Sequence, residues 1–196
     1  MEALTRADVW LLLWLNAWVG VSHSLDTLIR FVASDYLIPV VLSLVLLGMW
    51  FAPREQATRM RYQRAALGAM AGMGFSVLAV AIINELMFRP RPFDAHPVAL
   101  LFYRATDSSF PLHAAAVGFG FATGIWMVNR KLGTVAGALA GCWGLARVIA
   151  GVAYPSDLLG GMVIGITVTS AFFVVLQFFD PLVRFVLRTA QRFYLA

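Results

Sequence analysis

Charge is scarce in this chain. Only 13% of its 196 residues are Asp, Glu, Lys or Arg, whereas 61% are hydrophobic and the mean hydropathy is +0.80. Ordinary soluble domains carry about 25% charged residues, so a soluble globular fold is excluded and an integral membrane protein expected. Cysteine is nearly absent: Cys142 stands alone inside an apolar segment, which leaves no disulfide framework and no cysteine-based metal site, and gives it the reading of a small packing residue. Internal repeats and low-complexity tracts are missing too. Met1 to Asp8 is charge-mixed and the next apolar run lacks a small-residue cleavage pattern, so no cleavable signal peptide is expected. The net charge of +5 does not indicate a nucleic-acid partner, because the basic residues are spread over short connections and form no basic face. Anionic lipid headgroups account for them better.

What is present is a series of apolar runs. They predict an all-α integral membrane protein, one domain over 1–196, built as a bundle of six transmembrane helices at about 9–22, 36–51, 65–88, 112–128, 132–152 and 158–179. Trp10, Trp14 and Trp18 form one stripe of the first, fit for packing or for the membrane interface. Leu25, Leu28, Ile29 and Val32 predict a short interfacial helix within the connection from His23 to Asp35, with His23 solvated. Pro53 closes the second run, and Arg54, Arg59, Arg61 and Arg64 mark a basic connection after it. The third run is rich in Gly, Ala and Met, which permits close helix packing. Pro90, Pro92, Pro97 and Pro111 forbid a continuous helix through the long polar connection that follows. Asp180 to Ala196 reads as a basic amphipathic tail.

The basic residues also suggest a topology. With both termini in the cytoplasm, Arg6, the four arginines after the second run, Arg130, Lys131, Arg184, Arg188 and Arg192 all lie inside. Arg30, Arg89, Arg91, Arg104 and Arg147 are left facing outward, against the bias, and four of these five lie beside just two connections. Such a cluster suggests an anion-binding site. Arg147 lies deep in an apolar run, where a guanidinium costs about 2.5 to 17 kcal/mol and marks a functional site unless it snorkels or meets a helix end.

Three stretches carry a family resemblance: Arg89-Pro90-Arg91-Pro92-Phe93, Asp107-Ser108-Ser109-Phe110-Pro111, and Arg147 with Tyr154-Pro155-Ser156-Asp157. Together with the six-run layout they resemble the type 2 phosphatidic acid phosphatase superfamily of membrane lipid phosphate phosphatases, and within it the bacterial undecaprenyl-diphosphate phosphatases. The resemblance covers nearly the whole chain. It implies a signature of Lys-x6-Arg-Pro, Pro-Ser-x-His and Ser-Arg-x5-His-x3-Asp, in which Lys, two Arg, Ser and helix-start amides hold phosphate. The last His attacks phosphorus, oriented by the Asp, and the middle His protonates the leaving group.

The signature is broken here. Arg91 and Pro92 are kept, but Asn84 stands for the lysine; Pro111 is kept, but Leu112 and Ala114 stand for serine and histidine; Arg147 and Asp157 are kept, but Ala146 and Ala153 stand for serine and the nucleophile. His113 is one residue from the acid position, a turn of about 100° along a helix. His96, Ser108, Ser109, Tyr154 and Ser156 are further stand-ins, each equally read as a loop or capping residue. Glu85 and Arg89 have the spacing of an i, i+4 ion pair if the third helix extends that far. Asp157, without its histidine, is expected to pair with an arginine or to cap the sixth helix.

The candidate site is therefore Arg91, Arg147, Arg89 and Asn84 for phosphate, with His113 and Asp157 as the only catalytic candidates and neither metal nor cofactor expected. The leading expectation is a catalytically degenerate relative, in the bacterial-type cytoplasmic (inner) membrane, that binds a polyprenyl or glycerolipid phosphate or diphosphate in an outward-facing pocket for transport or regulation. An active lipid diphosphate phosphatase, or a diphosphate-eliminating enzyme, with a rearranged site is the alternative from the enzyme class. A structural membrane subunit with a vestigial pocket is the third.

Overall fold

The structure is a computed structural model that describes residues 2–53 and 55–178. Among these residues it is all-helical. In chain order the helices are α1 (Glu2–Asn16), α2 (His23–Ala33), α3 (Leu37–Phe51), α4 (Gln56–Leu86), α5 (Pro92–Ala95), α6 (His113–Trp126), α7 (Arg130–Ile149) and α8 (Pro155–Phe178). Arg54 and the tail from 179 onward, with Arg184, Arg188 and Arg192, lie outside the described residues.

The apolar runs do become helices, yet they do not give six spans by length. α4, α7 and α8 are long and apolar enough to cross a membrane, and α2 with α3, bent by 48° at their junction, would make a fourth span if counted as one. α6 has 14 residues, about 21 Å at 1.5 Å per residue, against a hydrocarbon core of about 30 Å. It is the buried centre of the bundle, packed on α4, α7 and α8. Small residues permit that closeness: a methyl group added at Gly118 would stand 2.7 Å from Ala140 Cβ, and one at Gly165 would stand 2.6 Å from the Ala116 carbonyl.

α1 departs most from the expected first span. Asp8 bonds to Ser156 and Arg89 at the start of α8, Leu12 packs with Val148 and Tyr154, and Asn16 bonds to Ala99 and to the Ile149 carbonyl at the end of α7. Asp8 and Asn16 are about 12 Å apart along a helix. Both meet the same end of the bundle, so α1 lies across that end and does not run through it. Trp10 and Trp14 remain exposed on its outer side, with Trp18 exposed just beyond, as an interfacial helix requires. α2 is the expected short helix: Ile29 and Ala33 are buried, Leu25 and Val32 pack against them, and Leu28 is exposed.

Three further expectations are corrected. The arginines 59, 61 and 64 lie in the first turns of α4, not in a connection, because nothing after Pro53 breaks a helix and Gln, Ala, Arg and Met favour one. α4 stops at Leu86 and Met87 leaves helical geometry (φ −135, ψ 84), so Arg89 stands outside the helix and the Glu85 pair does not form. Cys142 is exposed on α7 in a stripe with Val135 and Leu145, outside the buried core.

Candidate functional site

The segment from Arg147 to Asp157 is shaped by two local motifs placed back to back. α7 ends with Gly151 at positive φ (77), the Val152 amide bonding back to the Arg147 carbonyl (3.1 Å) and the Gly151 amide to the Val148 carbonyl (3.0 Å). This is a Schellman stop; its left-handed position needs glycine. Only three residues later α8 starts, with Tyr154 before Pro155 in the first helical position and Asp157 reaching back to the Tyr154 amide (2.8 Å). Between the motifs Ala153 is fully buried, and Ala114 at the start of α6 is buried in the same apolar cluster. Both alanines at the positions of the histidines are thus part of the packing.

Asp157 is fully buried and its oxygens are all engaged. One accepts Arg89 Nη1 (2.5 Å); the other accepts the Ser109 hydroxyl and the Tyr154 amide. The two roles expected of it, arginine partner and helix cap, are both filled. Arg89 goes on to Ser156 Oγ (2.7 Å) and Asp8 Oδ2 (2.8 Å) and lies 4.0 Å over the Tyr154 ring. Burial works against the Arg89 charge, but the carboxylates of Asp8 and Asp157 outweigh it and hold its pKa above the ordinary value. Asp8 also accepts the Ser156 amide (2.9 Å), so a residue of α1 helps to cap α8.

Arg91 and Arg147 are buried and held differently. Arg91 donates to the Val152 carbonyl (2.9 Å), the Asp107 carbonyl (3.1 Å) and Asp107 Oδ1 (2.8 Å). Arg147 donates to the Ala33 carbonyl at the end of α2 (2.9 Å) and to Asp35, with Phe102 4.5 Å from its guanidinium carbon. The aspartate partners of both are on connecting segments and about half exposed, 54% for Asp107 and 46% for Asp35. His113 is exposed at the first position of α6, within electrostatic reach of Asp35, Asp107 and Arg147. The N-cap Leu112 has no capping side chain to offer the first amides of α6.

Arg89, Arg91, Arg147, His113 and Asp157 therefore all lie at one end of the bundle. Asn84 is near the end of α4 with its amide oxygen buried and unpartnered. Ser109 and Ser156 are tied to carboxylates, Ser108 Oγ bonds to the Met87 and Phe110 carbonyls, and His96 meets the edge of the Tyr154 ring. The residues missed by sequence reasoning are Asp8, Asp35, Asp107 and Asn16. Their available signal was an aspartate on each segment that flanks an unexplained arginine. No cluster of metal-ligating side chains occurs among the described residues.

The comparisons with known proteins bear on this geometry. Residues 65–180 match the model of the PAP2 superfamily, a stretch that holds all three broken motifs. The chain belongs to the PAP2 superfamily. Undecaprenyl-diphosphatase BcrC of Bacillus subtilis (strain 168) is 31% identical over 172 residues, 86% of either chain. In fold this PAP2 member is similar to the crystal structure of Aquifex aeolicus LpxE, with a TM-score of 0.68, 23% identity and coverage of 85% of this chain and 94% of that one. It is also similar to the first transmembrane PAP2-type phosphatidylglycerolphosphate phosphatase from Bacillus subtilis, with a TM-score of 0.62, 21% identity and coverage of 92% and 88%. The PAP2 fold is thus kept, and Ala114 and Ala153 stand where the sequence reading expects the two histidines of the family signature.

Proposed function

We propose that this PAP2 member binds, without hydrolysing, the headgroup of a lipid phosphate or diphosphate at its arginine end, for carriage or regulation of that lipid. One observation carries the reading: Arg91 and Arg147 are buried and paired with half-exposed aspartates, while buried methyl groups stand at the expected histidine positions. Alanine has no lone pair with which to attack phosphorus. A phosphate oxygen, by contrast, replaces a carboxylate oxygen like for like, and Asp35 and Asp107 regain water when displaced. Asp157 is not exchangeable in this way, since it is fully buried. The uncapped start of α6 adds amides that favour an anion.

A polyprenyl diphosphate is the first ligand to try, given the relative's name. We place the site outward in a bacterial-type cytoplasmic membrane, with α3, α4, α6, α7 and α8 crossing and α1 on the site's own side. That replaces six crossings by five and moves the N-terminal helix away from the cytoplasm. The test is binding of radiolabelled undecaprenyl diphosphate to purified protein together with a phosphate-release assay. Saturable binding without release, lost in Arg91→Ala and Arg147→Ala, is expected; binding unchanged by both overturns the proposal.

The exposed His113 favours one second reading, in which it serves as a relocated acid and water attacks phosphorus. Phosphate release abolished by His113→Ala would establish that reading, and absence of release from the unaltered protein rejects it.

A further inference from the structure

The other end of the bundle carries a second group of cations. Arg59, Arg61 and Arg64 lie in the first nine residues of α4, and Arg130 and Lys131 open α7. Among the described residues Glu55 is the one carboxylate there, and it accepts the Thr58 hydroxyl (2.8 Å). A helix start is also the wrong place for cations, each of which costs about 0.3–1 kcal/mol near the positive end of the helix dipole. An external anion offsets that cost.

A cavity of about 430 Å³ fits such an anion. Arg61 and Arg64 of α4 and Gln177 of α8 give it a polar mouth, and Val128, Phe173 and Val174 give it an apolar wall. Arg61 is exposed, and no hydrogen bond or ion pair holds it among the described residues. Ser170 and Gln177, both in the lining, are about 10 Å apart along α8, so the wall continues well below the charged mouth. An inorganic phosphate would use the mouth alone; a lipid uses both parts.

We propose that this cavity is a second, non-catalytic site for one anionic phospholipid of the leaflet opposite the arginine–aspartate site. Its phosphate lies against Arg61 and Arg64 and an acyl chain runs along Phe173 and Val174. Basic pockets between transmembrane helices commonly take such headgroups. The site is independent of the proposed lipid phosphate site, sharing no residue with it.

Native mass spectrometry of the full-length protein in neutral detergent, titrated separately with dioleoyl phosphatidylglycerol, dioleoyl phosphatidylcholine and inorganic phosphate, tests this. Tight retention of one phosphatidylglycerol is expected, with affinity at least about fivefold above phosphatidylcholine. Arg61→Gln should remove that preference, and Val174→Trp, which fills the wall, should weaken retention without altering folding, since both side chains are exposed. Equal retention of both lipids, or a preference that survives both substitutions, overturns the proposal. Phosphate binding that is lost in Arg61→Gln but kept in Val174→Trp makes this a free-phosphate site and overturns the lipid assignment. Arg91→Ala should leave phosphatidylglycerol retention unchanged, so failure here is distinguishable from failure at the other end.

Discussion

The two ends of the bundle use arginine in opposite ways. At the end with the PAP2 motifs, Arg89, Arg91 and Arg147 are each matched by an aspartate: Asp8 and Asp157, Asp107, and Asp35. The described residues of the other end include five cations, Arg59, Arg61, Arg64, Arg130 and Lys131, and one carboxylate, Glu55. An arginine buried with its carboxylate stabilises the fold and is released only when a better anion arrives. Arg61, exposed at the rim, is open to an anion from outside. Both ends read as basic in sequence, but only the second is basic in the structure.

The largest effect expected from breaking this contrast is at Asp157. Asp157→Ala leaves Arg89, the Ser109 hydroxyl and the Tyr154 amide without their shared, fully buried acceptor, although Arg89 keeps Asp8. Loss of one partner of a buried pair costs about 3–5 kcal/mol, so thermal unfolding in detergent should shift far downward or folded protein should not be recovered. Arg91→Ala comes next. It should remove lipid diphosphate binding by tenfold or more, on the order of 1.4 kcal/mol, while Arg61→Gln leaves that binding untouched.

Asp107→Asn and Asp35→Asn act in the opposite direction. Each removes an internal competitor for an arginine at the cost of a half-exposed ion pair worth about 0–1 kcal/mol, so lipid diphosphate should bind several-fold tighter with little loss of stability. Unchanged or weaker binding in both would show that these aspartates do not compete with the ligand. The smallest effect on function concerns the nucleophile position. Ala153→His should restore no phosphate release, because Asp157 is already held by Arg89, Ser109 and the Tyr154 amide and is not turned toward a new imidazole, and the added bulk at a fully buried site should cost about 1–3 kcal/mol. Recovered release would mean that the aspartate network rearranges readily.

Much of the site was legible in the chain. Motif spacing picked out positions 91, 147 and 157, which the fold brings to one end of the bundle, and the alanines at 114 and 153 were read directly. Their partners were harder to see. Asp8 and Asp35 come from segments 81 and 112 positions away from the arginines they meet, and no local pattern encodes such a meeting. The Glu85–Arg89 pair illustrates the converse: the spacing was right, but the helix ended before it could matter.

By itself the sequence determined the membrane class, the helical runs, the prolines that interrupt them and the alanines at 114 and 153, because hydropathy, backbone restriction and side-chain chemistry are local properties. Tertiary structure alone decided that α1 lies across one end of the bundle, that Asp157 is taken by Arg89 and Ser109, and that each motif arginine already holds an anion of its own. Charge neutralisation depends on distances of a few ångströms between remote segments, and only the packed chain sets those.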